Sequence, residues 1–497
     1  MLKRKLAMRR FYSLSLVLFL TIAVLGGVLF LLYAKIWPRD AADKPNILII
    51  SLCSVRADHM SCYGYQRNTT PNFDELAKDS FIFENAITQW PKTTPSFAAM
   101  MTGKYCHTIG VMRTPIGQRL GDEHDTLAEI LRDHGYDTGV FNSTVALNLK
   151  TNVLQGCDTI EESWRLPRGQ RYFVTTRQAL AWLKKPRQSP FFAWVHYNNA
   201  HQPYLAIAAP PGLFIGDKFY DATRRIPANR RPLSLPIPKN HPYAWEILRP
   251  DIGGAHPTSI LKERPNEFAY YVARQDASIY GLDLMAGQLL QEVRRMGLLQ
   301  NTIVVVVCDH GEGLGDHNYF FGHGRFPYQA CAHVPLIIRP PGGINSVRVT
   351  TPIGIFGLSP TLLEMAGIKA PKKMEAKSFL PIAYGKAPGD YVFMESGYQL
   401  DFTLSVWDGK WKLIHIPNKI DRSLMTGSEY ELYNLQEDPH ELKNLYTAEP
   451  QIANKLRKVL KDWSEPWVDT AYSAAGITGI EVDQKTIEQL RSLGYLK

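Results

Sequence analysis

Asn46-Ile-Leu-Ile-Ile-Ser-Leu52 is an unbroken apolar run that stops abruptly at Cys53-Ser-Val-Arg-Ala-Asp-His59. Seven residues are few for a helix, and continuous rather than alternating hydrophobicity marks a strand covered on both faces, the habit of parallel sheets. Two other stretches share this character: Thr302-Ile-Val-Val-Val-Val307 and Pro190-Phe-Phe-Ala-Trp-Val-His196. Helical patterns lie between them, such as Thr126-Leu-Ala-Glu-Ile-Leu-Arg-Asp-His-Gly135, which closes on a C′ glycine. Strands alternating with helices predict an α/β doubly wound sheet flanked by helices. In such sheets ligands bind beyond the carboxyl ends of the strands, so chemistry is expected just after Leu52, Val307 and His196.

Outward from this core the chain changes character. Residues 206–260 are dense in proline and read as an extended insertion over the sheet edge or the site mouth. After about residue 385 come Tyr391-Val-Phe-Met-Glu395, Thr403-Leu-Ser-Val-Trp407 and Lys412-Leu-Ile-His-Ile416, then a helical pattern around Gln451–Trp463. They predict a catalytic α/β domain over 46–385 and a smaller α+β subdomain with an antiparallel sheet over 386–497. A chain of 497 residues exceeds what one core usually serves, which agrees with this division.

Between Arg10 and Lys35 lie 24 uncharged residues, which as a helix would span roughly 36 Å, enough to cross a bilayer with some tilt. Five of the first ten residues are cationic, so the basic tail 1–10 is expected in the cytoplasm, 11–34 in the membrane as a retained signal anchor, 35–45 as linker and the body outside, periplasmic or extracellular. The run is longer than a signal-peptide core and no A-x-A pattern follows it. The net charge of +9 largely reflects this end: residues 1–44 hold eight Lys or Arg and two Asp, leaving about +3 on the remainder. That removes the electrostatic footprint of a nucleic-acid binder. Six scattered cysteines without a C-x-x-C pair do not describe a disulfide scaffold. Nothing in the sequence specifies an oligomer.

Three clusters follow predicted strands or open a helix: Cys53 to His59, Lys92-Thr-Thr-Pro-Ser-Phe97 running on to Lys104, and Asp309-His-Gly-Glu312 with Gly322-His-Gly324 a short loop later. Asp309 and His310 are good ligands for Zn²⁺ or Mn²⁺, and Cys53 would join them as thiolate. Thr93 or Thr94 places a hydroxyl beside the free N–H groups of a helix start, which favour phosphate or sulfate. A metal-activated hydroxyl facing an anion pocket is a workable nucleophile. Cys308, one residue before Asp309, points to the opposite strand face and packs there, or pairs with Cys53 in a disulfide. Arg56 and Asp58 read as an ion pair tying the first loop.

Taken together, in this order, the clusters resemble the sulfatase family of the alkaline phosphatase superfamily. Asn46 to Tyr65 is similar to its first strand and loop. Thr93-Thr-Pro-Ser-Phe-Ala-Ala-Met-Met-Thr-Gly-Lys-Tyr105 is similar to its nucleophile signature, His201-Gln-Pro-Tyr204 to its central His-x-Pro-Tyr segment, and Glu431 to Leu445 to its closing segment. The resemblance implies an alkaline-phosphatase-like mixed sheet, a divalent metal and an anionic ester substrate. It implies that His201 faces the substrate and that Lys104 lies near the anion; His323, between two glycines, is a further substrate-contact candidate. The sequence departs from the family at the centre. Thr93 stands where the family oxidises Cys or Ser to formylglycine, so no formylglycine is expected; Phe97 stands for the signature arginine, Cys53 for an acid and His333 for an arginine.

Threonine is the nucleophile in other members of the superfamily, the nucleotide pyrophosphatases and the lipid-headgroup transferases. The matching metal set here is Cys53, Thr93, Asp309 and His310. A thiolate ligand favours Zn²⁺, with Mn²⁺, Ca²⁺ or Mg²⁺ as alternatives. The expectation is nucleophilic attack by Thr93 on a phosphate ester (a lipid headgroup, an envelope glycan or a small phosphoester), with His201 or His323 assisting the leaving group. The alternatives are a sulfuric ester hydrolase and a degenerate homologue that only binds an anionic glycan or lipid.

Overall fold

Strand pairing sets Asn46–Leu52 (β1) between Phe191–Tyr197 (β5) and Thr302–Cys308 (β6), parallel to both, with Ser51 level with His196 and Val307. The computed structural model describes residues 44–112, 118–202, 204–220, 267–317, 319–398, 401–417 and 428–468. The anchor expected at 11–34 lies outside these residues, as does 221–260 of the expected insertion. The remaining strands of the sheet are Phe81–Phe83 (β2), Asp137–Asn142 (β3), Thr159–Glu162 (β4), Leu336–Arg339 (β7) and Val347–Val349 (β8). Their order is β8-β2-β7-β6-β1-β5-β3-β4. Only β7 runs against its neighbours, so the sheet is mixed but mainly parallel. The middle strands are the runs with the most continuous hydrophobicity because they are covered on both faces: Ile47 to Ile50 and Ile303 to Val307 are fully buried.

Two helices matter for the site. Thr93–Thr102 (α1) is buried along its whole length and ends on Gly103, whose φ of 65° is the left-handed conformation that closes a helix. Phe268–Arg295 (α2) has 28 residues and holds the loop after β1 from behind: Gln275 Nε2 donates to the Ser54 carbonyl, and Asp283 accepts from the backbone N–H groups of Asn72 and Phe73. At Gly281 a Cβ would lie 2.0 Å from the Ile207 carbonyl, so only glycine lets residues 206–209 rest on this helix.

The C-terminal segment forms a four-stranded antiparallel meander, Val392–Tyr398, Asp401–Trp407, Trp411–His415 and Tyr430–Asn434, backed by Pro450–Ser464. It shares a core with the main body, since Trp90, Ala99 and Cys106 pack with Phe402, Leu413 and Leu456. The alternative disulfide does not form: all six cysteines are free. Cys308 continues β6, and its sulfur accepts from the Val55 N–H at 3.1 Å and donates to the His310 carbonyl at 3.1 Å.

Candidate metal and ester site

The registers of β1 and β6 deliver Cys53 and Asp309 side by side on one face of the sheet, and α1 begins on that same face. Ser54 turns the chain sharply with φ 59°, a conformation unfavourable for a residue with a Cβ, and its N–H points at Asp309 Oδ1 at 3.4 Å. The His310 N–H donates to the same oxygen at 2.8 Å. Asp309 Oδ2 is left buried without a hydrogen bond, 3.4 Å from His310 Nε2. Burial opposes ionisation of Asp309, yet the imidazoles of His310 and His196 outweigh it and hold the carboxyl below its usual range.

His310 donates from Nδ1 to the Gly311 carbonyl at 2.8 Å, which leaves Nε2 as the lone pair. That nitrogen lies 3.3 Å from Thr93 Oγ1, and the threonine oxygen is 3.7 Å from Cys53 Sγ. Donor atoms of Cys53, Asp309 and His310 all fall within 4.8 Å of one another. Burial, then the Asp309 charge, raises the Cys53 thiol well above its ordinary value. An unpaired buried carboxylate oxygen, a forward-facing imidazole lone pair, a thiol and a hydroxyl converging on one point fit a divalent cation, which would select the thiolate and satisfy the orphaned oxygen. Cys53, Asp309 and His310, with Thr93, would hold it.

A row of imidazoles leads away from this group. The His323 ring stacks on His310 at 4.0 Å between centroids, and His201 meets His323 edge-on at 5.2 Å. His323 Nδ1 is 3.1 Å from Glu312 Oε1, and burial pushes the Glu312 carboxyl up to about 8 and His323 down to about 3. Glu312 is therefore part of the site, although its position in the Asp-His-Gly-Glu segment carried no role by itself. Lys92 packs its stem where a Cβ on Gly324 would sit, bringing a cation to the His323 loop.

The structure corrects one placement. Lys104 does not reach the anion end of α1; it follows the helix's far end, roughly 14 Å along the axis at 1.5 Å per residue, and its ammonium donates to His124 Nδ1 at 3.1 Å. Phe97 fills the signature arginine's position with packing: its ring lies 5.2 Å from both Trp194 and His196. His196 is buried below the site, with Nδ1 2.8 Å from Ser51 Oγ and Nε2 unpaired. The end of the Pro190–His196 run signalled this residue, but not what it would touch. The Arg56–Asp58 pair forms as expected and takes in Asp316 as well. His333, whose role the sequence left open, donates from Nε2 to the Glu84 carbonyl, 2.7 Å away.

Similar proteins carry the same architecture. The chain is 23% identical over 492 residues to an N-acetylglucosamine-6-O-sulfatase of Bacteroides thetaiotaomicron, covering 85% of this chain and 86% of that protein. It is 24% identical to arylsulfatase K of Bos taurus, covering 86% and 82%. Among solved structures, a 2-O GAG sulfatase superposes with a TM-score of 0.67 at 23% identity, covering 89% of this chain and 96% of that one. The phosphonate monoester hydrolase of Agrobacterium radiobacter does so with a TM-score of 0.64 at 20% identity, covering 89% and 99%. A family model described as the C-terminal part of N-sulphoglucosamine sulphohydrolase matches residues 315–465. The sulfatase family model matches residues 45–368, well over half of the sequence, and the chain belongs to the sulfatase family.

Proposed function

We propose that this sulfatase-family protein is a membrane-anchored, extracytoplasmic, metal-dependent hydrolase or transferase of phosphate esters, with Thr93 as nucleophile. The observation that carries the reading is the Thr93 hydroxyl at the first turn of α1, 3.3 Å from a His310 nitrogen whose tautomer is set by the Gly311 carbonyl. A divalent cation, zinc above others because of Cys53, would supply a lowered hydroxyl pKa and a counter-charge for the ester. The chain's own groups do the rest. The first N–H groups of α1 face the ester's oxygens. Thr93 gives its hydroxyl proton to water as its Oγ attacks phosphorus, and the new O–P bond makes a phosphothreonine as the bond from phosphorus to the ester's alkoxide breaks. His323 and His201 line the exit side, and the Glu312 carboxyl, pushed up to about 8, relays its proton through His323 to the departing alkoxide. Water or an acceptor hydroxyl then displaces the phosphoryl group. The named substrates of relatives, such as a glucosamine disulfate bound by one solved structure, support a carbohydrate ester.

A sulfate ester is the second reading, and the names of the relatives favour it. Thr93 at the nucleophile position, without an arginine at Phe97, weighs toward phosphorus. The deciding experiment loads the protein with zinc, offers aryl phosphate and aryl sulfate in parallel, and analyses the Thr93 peptide by mass spectrometry. A phosphoryl adduct on Thr93 with phosphate release supports the proposal. Sulfate release alone supports the second reading, and a folded, zinc-loaded protein inert to both leaves a binding role.

A further inference from the structure

The hairpin Gly313–Asp316/Tyr319–Gly322, which leads into the His323 loop, borders a cavity of 570 Å³, within the range of small-ligand sites. Leu314, Gly315 and Asp316 line it from one strand of that hairpin, while Gly322 on the other strand leads into His323. Its aromatic wall is held in place from behind. Tyr65 stacks on His59 at 4.5 Å, and Phe219, 37% exposed, meets Tyr65 edge-on at 5.3 Å. Behind them the fully buried Asp276 takes hydrogen bonds from His59 Nδ1 at 2.7 Å, Tyr65 OH at 2.7 Å and Arg67 Nη1 at 2.6 Å. The Arg67 guanidinium lies 5.1 Å from the Phe219 ring centre and the same distance from that of Tyr220. Half-exposed aromatic rings tied down this firmly are the mark of a surface built to meet a ligand, since loose surface rings need no such support.

The facing wall is polar. Arg56 is shared between Asp58 at 2.8 Å and Asp316 at 2.6 Å, so two carboxylates surround one cation in the cavity lining. A lining that combines flat rings with carboxylates suits a pyranose, whose C–H face packs on aromatics while its hydroxyls donate to oxygen. The excess carboxylate repels a sulfate or phosphate group. We propose that this cavity is a carbohydrate subsite for an uncharged or amine-bearing sugar unit, one that lacks the ester group. Its link to catalysis rests on the ester reading of the Thr93 site, but sugar binding does not.

The test uses the full-length chain in detergent and a neutral N-acetylglucosamine trimer, with its 6-O-sulfated form as comparison. Saturation-transfer NMR and titration calorimetry measure binding to the wild type, Phe219→Ala, Phe219→Trp and Thr93→Ala. The expected result is binding of the neutral trimer that Phe219→Ala weakens by about tenfold or more and Phe219→Trp restores, with thermal unfolding unchanged. Thr93→Ala binds like the wild type, whatever becomes of the nucleophile reading. No binding of the neutral trimer at millimolar concentration, or binding indifferent to Phe219→Ala, overturns the proposal. So does a preference for the sulfated form that disappears with Phe219→Ala.

Discussion

The two flanks of the Thr93 group are built differently. On the β6 side, Asp309, His310, Glu312 and His323 are charged or titratable, and hydrogen bonds account for most of their polar atoms. On the β1 side, Cys53, Thr93 and Phe97 offer a neutral thiol, a hydroxyl and a phenyl ring packed on Trp194 and His196. A metal centre needs deprotonated ligands, and only the β6 side has one ready. The β1 side must give up the Cys53 proton, which burial discourages and a bound cation rewards. The comparison therefore predicts a centre whose affinity is set by its weaker flank.

The sharpest way to break this picture is at the shared hydroxyl. Thr93→Ala should lower turnover of an aryl phosphate by about 10³-fold or more and remove the phosphoryl adduct, whereas Thr93→Ser keeps both. Turnover surviving in Thr93→Ala would move the nucleophile elsewhere. Next comes the packing claim. Phe97→Ala should cost about 3–5 kcal/mol in chemical denaturation, because the ring is fully buried against two aromatic neighbours. A loss below 1 kcal/mol would mean that the β1 side is loosely filled. Cys53→Asp should shift metal preference from zinc toward magnesium or calcium, and Cys53→Ala should weaken zinc binding by at least about tenfold. Elemental analysis after dialysis against mixed metals reads both, and unchanged zinc in Cys53→Ala would make the cysteine mere packing.

The smallest effect concerns the support of the β1 loop. Burial pushes the Asp283 carboxyl up to about 6, above its value near 3.8 in the unfolded chain, although the Asn72 and Phe73 N–H groups pull it down. The folded protein thus binds this proton more tightly. Between about pH 6 and 4 its contribution to stability grows as pH falls and disappears above about 6, by roughly 1–3 kcal/mol. The stability of the wild type should rise relative to that of Asp283→Asn as pH falls through that window, in denaturation curves of the two. Parallel curves would show that Asp283 stays ionised.

Much of this was readable along the chain. The three buried strands announce themselves because parallel strands covered on both faces demand continuous hydrophobicity. Their ends point to Cys53, His196 and Asp309 because side chains there are the first that need not be apolar. The short strands β2 and β8, of three residues each, carry too little pattern to be seen without their neighbours. Lys104 shows the opposite failure: its distance in sequence from Thr93 looks small, but a helix turns those residues into a rod with the lysine at the wrong end.

By itself, then, the sequence determined the sheet, its polarity, and the residue types that gather at its carboxyl edge. It did so because hydrophobic period and strand ends are local properties. Only the tertiary structure decided that Glu312 meets His323, that Phe97 packs against Trp194 and His196, and that Asp276 braces the aromatic wall of a cavity from 209 or more residues away. Those pairings depend on which strands become neighbours and on burial in a low-dielectric interior, and neither is written at any one position in the chain.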